Sequence, residues 1–257
     1  MKTYLLSNVK KKKMASEEMP ELKRHKLGVR DNLNWYDFEG TKIAYRDDKQ
    51  LDMPVLLCLH AIGHGSNDFA EFIDEFKEYF RIVAIDWPGQ GLSEPFQDPH
   101  QRHSIQSYSR LTIRLIEKLD LHDLAVIGNS IGGGVALNIA YLLKDQRPRI
   151  KSLIVCNPAG VDKGGILAKL FIGHMVKKFR AGVDKKPAFL VWFRHYYRDV
   201  LPNVNAEHER NLIVNAGYDT APILEQAWLS FKDPMNDIRP FLTRIDQPVL
   251  VAWASKD

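Results

Sequence analysis

The stretch Val126-Ile127-Gly128-Asn129-Ser130-Ile131-Gly132-Gly133-Gly134 decides how this chain is read. Leu124 to Ile127 form an apolar run of the kind that makes a short buried strand, and Val135, Ala136, Ile139, Ala140 and Leu143 then recur at helical spacing. Ser130 is therefore expected on a strand-to-helix turn. A turn this sharp leaves no room for side chains beside the serine, so Gly128 and Gly132 let strand and helix approach closely. The hydroxyl then projects from the top of a sheet, with the backbone N–H of Ile131 directed at the same spot.

Strands and helices alternate on both sides of this turn. Upstream, Asn34 to Phe38 and Thr41 to Arg46 flank Glu39-Gly40, a β-hairpin pattern. Pro54 to Leu59 is almost continuously apolar, as befits a strand buried on both faces of a parallel sheet, and it ends in the loop His60-Ala61-Ile62-Gly63-His64-Gly65. A helix carrying Phe69, Phe72, Ile73, Phe76 and Phe80 on one face precedes a strand at Arg81 to Ile85. That strand runs into Asp86-Trp87-Pro88-Gly89-Gln90-Gly91-Leu92-Ser93. Ser104 is placed to cap the next helix, whose stripe is Ile105, Tyr108, Leu111, Leu115, Ile116 and Leu119.

Downstream, the helix after Ser130 runs to about Lys144, and a strand follows at Ile150 to Cys156. Between residues 159 and 232 the patterns are helical with no buried strand, which marks an inserted helical cap. A helix near Asp233 to Arg244 and a strand at Val249 to Trp253 return to the sheet. The alternation predicts an α/β fold: a mostly parallel sheet flanked by helices. Its parts are a flexible basic tail (1–30), a first core segment (31–158), the cap (159–232) and a second core segment (233–257).

A chain of 257 residues with 45% hydrophobic content can bury one sizeable core. No apolar run approaches the roughly 20 residues that span a bilayer. The N-terminus, with Tyr4-Leu5-Leu6 followed by Lys10 to Lys13, is too short in apolar residues for a secretory signal. Cys58 and Cys156 lie within apolar strand patterns and read as buried reduced thiols, which points to the cytoplasm. Positive charge is concentrated: Lys163 to Arg198 holds nine Lys or Arg against the single acid Asp184. This reads as a solvated basic face, because no nucleic-acid-binding signature accompanies it.

Four landmarks in order, the His60 loop, the Asp86–Ser93 turn, Gly128-Asn129-Ser130-Ile131-Gly132 and the late Ala254-Ser255-Lys256-Asp257, resemble the α/β-hydrolase superfamily in its cap-bearing branch, over essentially all of residues 33–257. The resemblance implies a serine hydrolase: Ser130 as nucleophile, Ile131 N–H and Ile62 N–H as the oxyanion hole, and Asp257 as the acid that orients a base histidine. It implies no cofactor and no metal, and the histidine spacings contain no zinc motif. Substrate-binding residues and oligomeric state are not legible.

The chain departs from the family pattern in two places. Ala61 stands where a glycine is usual, and the family's base histidine follows the acid, whereas all nine histidines here precede Asp257. His60 has a structural counterpart in the family. The plain expectation is that the last strand, the histidine loop and the final helix are missing, and that residues 1–257 alone are nearly inactive.

Serine in place of aspartate at position 130 argues against haloalkane dehalogenases and epoxide hydrolases. A small carboxylic ester is then the expected substrate, with C–C bond hydrolysis of ring-cleavage products as the alternative and a non-catalytic binding protein as a third reading. Trp192, Phe193, Arg194, Tyr196 and Tyr197 read as a core stripe with a basic face rather than as an anion site. No nucleic-acid partner and no stable membrane insertion are expected. Gly165 to Arg180 has the pattern of a basic amphipathic helix that could lie on acidic membranes.

Overall fold

The computed structural model describes residues 32–145, 149–161 and 165–254. The expected tail at 1–30 lies outside these residues.

Seven strands form one sheet in the order β1-β2-β4-β3-β5-β6-β7. The hairpin is present as β1 (Leu33–Phe38) and β2 (Thr41–Asp47), paired antiparallel through Glu39-Gly40. β2 also runs antiparallel to β4 (Arg81–Ile85). From β4 onward through β3 (Val55–Leu59), β5 (Leu124–Asn129), β6 (Ile150–Cys156) and β7 (Val249–Ala252) all pairing is parallel.

The period of the strand shows in β3. Leu57 and Leu59 enter the main core with Val83, Ile85 and Val126, while Leu56 and Cys58 enter a second cluster with Phe69, Ile82 and Ala84 on the other face. Both faces are covered, which is why the sequence there is apolar without alternation.

The aromatic segment after β3 is a single 3-10 turn (Ser66–Phe69) followed by the short helix α1 (Ala70–Phe76), with Phe80 beyond its end. Ser104 caps α2 (Ile105–Lys118), its Oγ accepting from Ser107 N–H at 3.2 Å. α3 (Ile131–Leu142) follows β5 directly, and every residue from Ile131 to Ala140 is buried. Four helices fill the span after β6: α4 (Ile166–Val183), α5 (Ala188–Val200), α6 (Glu207–Asn215) and α7 (Gly217–Ser230). They enclose their own cluster of Met175, Phe179, Phe189, Phe193, Tyr197 and Leu224, so the aromatic stripe of α5 is core. Ile62 packs against both this cluster and the main core, and so joins the two.

Two expectations need correction. The helix expected near Asp233 to Arg244 is two separate pieces, a 3-10 turn (Pro234–Asn236) and α8 (Arg239–Leu242). Pro240 has no N–H for a carbonyl one turn back, so a continuous helix would be broken there. Cys156 is only half-buried, at the exposed end of β6, whereas Cys58 is fully buried; both are unbridged. β7 is the outer strand among the described residues, and Val249, Leu250, Val251 and Trp253 are all exposed.

Candidate active site

The strand order reverses between β3 and β5: the chain leaves β3 toward β4 on one side and returns to β5 on the other. The loops at the carboxyl ends of these two strands splay apart, and in open α/β sheets this crevice is where ligands bind. Ser130 follows β5 there, and the His60 loop follows β3.

Ser130 occupies φ 54°, ψ −116°, a region that non-glycine residues avoid. Holding it costs on the order of 1–3 kcal/mol, so the surroundings must impose it. They do. Its N–H donates to Cys156 O at 2.9 Å, and its carbonyl accepts from Gly134 at 3.1 Å and Ala159 at 2.9 Å. A Cβ on Gly128 would stand 2.3 Å from Gly132 O, and one on Gly132 would stand 2.2 Å from Leu59 O. The glycines are demanded by close approach, as their spacing suggested. The Ser130 hydroxyl is not spent on capping α3. Ile131 opens that helix, so its N–H has no acceptor within it. Ile62 N–H likewise makes no backbone hydrogen bond to the described residues.

The loop bearing Ile62 is fixed by buried polar groups. His60 is fully buried; its Nε2 accepts from Trp87 N–H at 3.0 Å, which leaves Nδ1 protonated against Ala61 O at 2.6 Å. Trp87 Nε1 donates back to His60 O at 2.8 Å. Burial pushes the His60 pKa down and keeps the ring neutral. Asp86 accepts from Ser66 N–H at 2.6 Å and from Leu92 N–H at 2.9 Å, so one carboxylate ties the two loops together.

Gly63 N–H donates to Gln90 Oε1 at 2.6 Å, Gln90 Nε2 donates to Tyr108 OH at 3.0 Å, and the Tyr108 hydroxyl is left to donate to His103 Nδ1 at 2.8 Å. Burial lowers the His103 pKa to about 4. Sequence reading missed this relay because its members are distant in the chain. Gly91 belongs to the neighbouring Asp86 tie, where a Cβ would lie 2.3 Å from Asp86 Cγ.

His64 pairs with Asp68 at 3.0 Å and faces Tyr197 of α5, ring centroids 5.9 Å apart. Burial pulls its pKa down, but the charge and hydrogen bond of Asp68 outweigh this and the pKa is raised. His122 is paired with Asp120, and His195 with the Val191 carbonyl. His100, His174 and His208 are exposed. Asp257 lies outside the described residues. The segment leading to it is at the same end of the sheet as Ser130, since Ala254 N–H donates to Asn157 Oδ1 at 2.9 Å and Asn157 directly follows β6.

Residues 54–221 match the sequence profile of the alpha/beta hydrolase fold. Protein Rv2715 of Mycobacterium tuberculosis is 30% identical over 150 residues, 56% of this chain and 41% of that protein, so the chain spans less than half the length of that relative. Hydrolase YugF of Bacillus subtilis is 22% identical over 235 residues, covering 86% of this chain and 80% of its own. Among solved structures, the esterase EaEST of Exiguobacterium antarcticum superposes with a TM-score of 0.67 at 19% identity, over 87% of this chain and 80% of that one. The profile match covers well over half of the sequence and agrees with the strand order and the elbow at Ser130: this chain belongs to the α/β hydrolase fold family.

Proposed function

We propose that the protein is a serine hydrolase that cleaves a small carboxylic ester through an acyl-enzyme on Ser130. The observation that carries this is the elbow itself: a serine forced to φ 54°, ψ −116° at the switch point of the sheet, with its hydroxyl free of capping duty. Strain of this kind persists where it positions a reacting group.

In this reading Ser130 Oγ attacks the ester carbonyl as its proton passes to a histidine. The N–H groups of Ile131 and Ile62 receive the oxyanion, each such donor being worth about 3–4 kcal/mol in the transition state. The protonated histidine then delivers its proton to the departing alcohol, and water, activated by the same histidine, releases the acid. Asp257 is the proposed acid that holds the base in its tautomer. His60, His64, His103, His122 and His195 are bonded to other groups, so the base is assigned outside them. The protein is placed in the cytoplasm, on the reading of Cys58 and Cys156 as reduced thiols.

Putative esterase/lipase 3 of Mycoplasma pneumoniae, 25% identical over 175 residues, is named for ester chemistry, and this supports the ester reading over the C–C alternative. Pre-steady-state hydrolysis of p-nitrophenyl acetate by the full-length protein tests the reading. A burst of one p-nitrophenolate per protein, lost in Ser130→Ala, is expected. Absence of both burst and turnover in a folded full-length protein would favour the non-catalytic binding reading.

A further inference from the structure

The first two turns of α4 present their apolar residues to solvent. Ile166 is 79% exposed, Leu167 82%, Leu170 65% and Phe171 56%, while the same helix buries only Met175, Phe179 and Gly182. At about 100° per residue, Ile166, Leu170, Leu167 and Phe171 span an arc of about 140°, and the buried Met175, Phe179 and Gly182 lie along its edge beside Phe171, so one apolar stripe starts in solvent and runs under the cap. The outward face then changes character along the helix. Beyond Phe171 it carries His174, Lys177 and Lys178. α4 contains no acidic residue, and Lys232, just after α7, approaches Gly173.

Arg180 is paired with Glu225 of α7, so its charge is taken up within the cap. Lys178 is half-buried and lies over the Trp192 ring at 5.6 Å, so Lys177 carries the exposed charge of this face. Phe171 touches Trp228 edge-on at 5.6 Å, which fixes its direction without covering it. The result is a pre-formed helix with an apolar end and a basic, acid-free remainder on one exposed face.

We infer that this face of α4 is a docking surface for an anionic lipid bilayer. Lipid is the occupant because the two halves answer its two layers. Large aliphatic and aromatic side chains suit the acyl boundary, into which interfacial helices sink about 5–10 Å, and the lysines suit acidic headgroups. A protein partner for so apolar a patch would have to bring a matching acidic rim. A second copy of this chain would set lysine against lysine. Docking through α4 brings the cap cluster, against which Ile62 packs, to the bilayer side. The inference does not depend on the ester reading, because the test measures binding alone.

Co-sedimentation of the full-length protein with sucrose-loaded vesicles is the test. Binding is expected to be at least tenfold stronger to vesicles of phosphatidylglycerol and phosphatidylcholine in equal parts than to phosphatidylcholine alone, and to weaken in 0.5 M salt. Leu167→Asp with Leu170→Asp should lower binding at least tenfold with an unchanged melting temperature. Phe171→Trp should shift its emission to the blue on binding and be quenched by brominated acyl chains. A variant with Lys10 to Lys13 changed to Gln should bind like the parent. The inference is overturned if the parent ignores phosphatidylglycerol vesicles, if the double aspartate variant binds normally, if removing the four N-terminal lysines abolishes binding, or if the patch instead drives self-association on gel filtration without vesicle binding.

Discussion

Helices α3 and α4 are both rich in apolar residues and meet opposite fates. α3 buries every residue from Ile131 to Ala140 and is pressed so close to β3 that a methyl group on Gly132 would strike the Leu59 carbonyl at 2.2 Å. α4 buries three residues and leaves four large apolar side chains standing in solvent. Apolar content alone therefore says little. Where packing consumes it, it fixes geometry, here the geometry of Ser130; where packing leaves it exposed, it is available to a partner.

The contrast breaks most sharply at the elbow. Gly132→Ala is expected to cost about 3 kcal/mol or to prevent folding, because the clash is with backbone that cannot step aside. Urea denaturation reads it, and a loss under 1 kcal/mol would show that α3 is held less tightly than its contacts imply.

A comparable effect belongs to pH. His103 is buried and its folded pKa is about 4, below its ordinary 6.5. The unfolded chain therefore binds a proton that the folded chain refuses, and stability falls as pH drops from about 6.5 toward 4, by up to about 3 kcal/mol. His103→Gln should flatten that part of the stability curve. An unchanged slope in the variant would remove His103 as its source.

A smaller effect is expected where the two regions meet. Gln90→Leu removes the acceptor for Gly63 N–H and loosens the loop carrying Ile62. Since a lost oxyanion donor costs about 100- to 1000-fold, a misplaced one is expected to cost about tenfold in kcat with KM little changed. Gln90→Glu, which keeps the acceptor, should recover part of it. Loss confined to KM would assign Gln90 to substrate binding.

Local pattern was enough for much of this architecture. β4 and β6 fall at the residues their apolar runs mark, and the Ser104 cap and the Ser130 turn are where side-chain chemistry requires them. What stayed hidden was long-range. Nothing near Gln90 in sequence reveals that it spans from Gly63 to Tyr108, and no period in α4 tells that its apolar start would stay largely exposed. Helical spacing runs through 233–244, yet Pro240 lacks the N–H that would join the two short pieces into one helix. The His64–Asp68 pair could have been found from its i, i+4 spacing on a loop next to the site. For the assigned site itself, the elbow at Ser130 was legible from two glycines, while the roles of Ile62 and Asp257 rest on order along the chain.

The central claim is that packing around α3 turns Ser130 into a nucleophile. Treating the full-length protein with a fluorophosphonate probe and mapping the adduct by mass spectrometry tests it most directly. A single adduct on Ser130, abolished in Ser130→Ala and slowed in Asp257→Asn, is the predicted result. A folded full-length protein that stays unlabelled, or that is labelled at another residue, would contradict it.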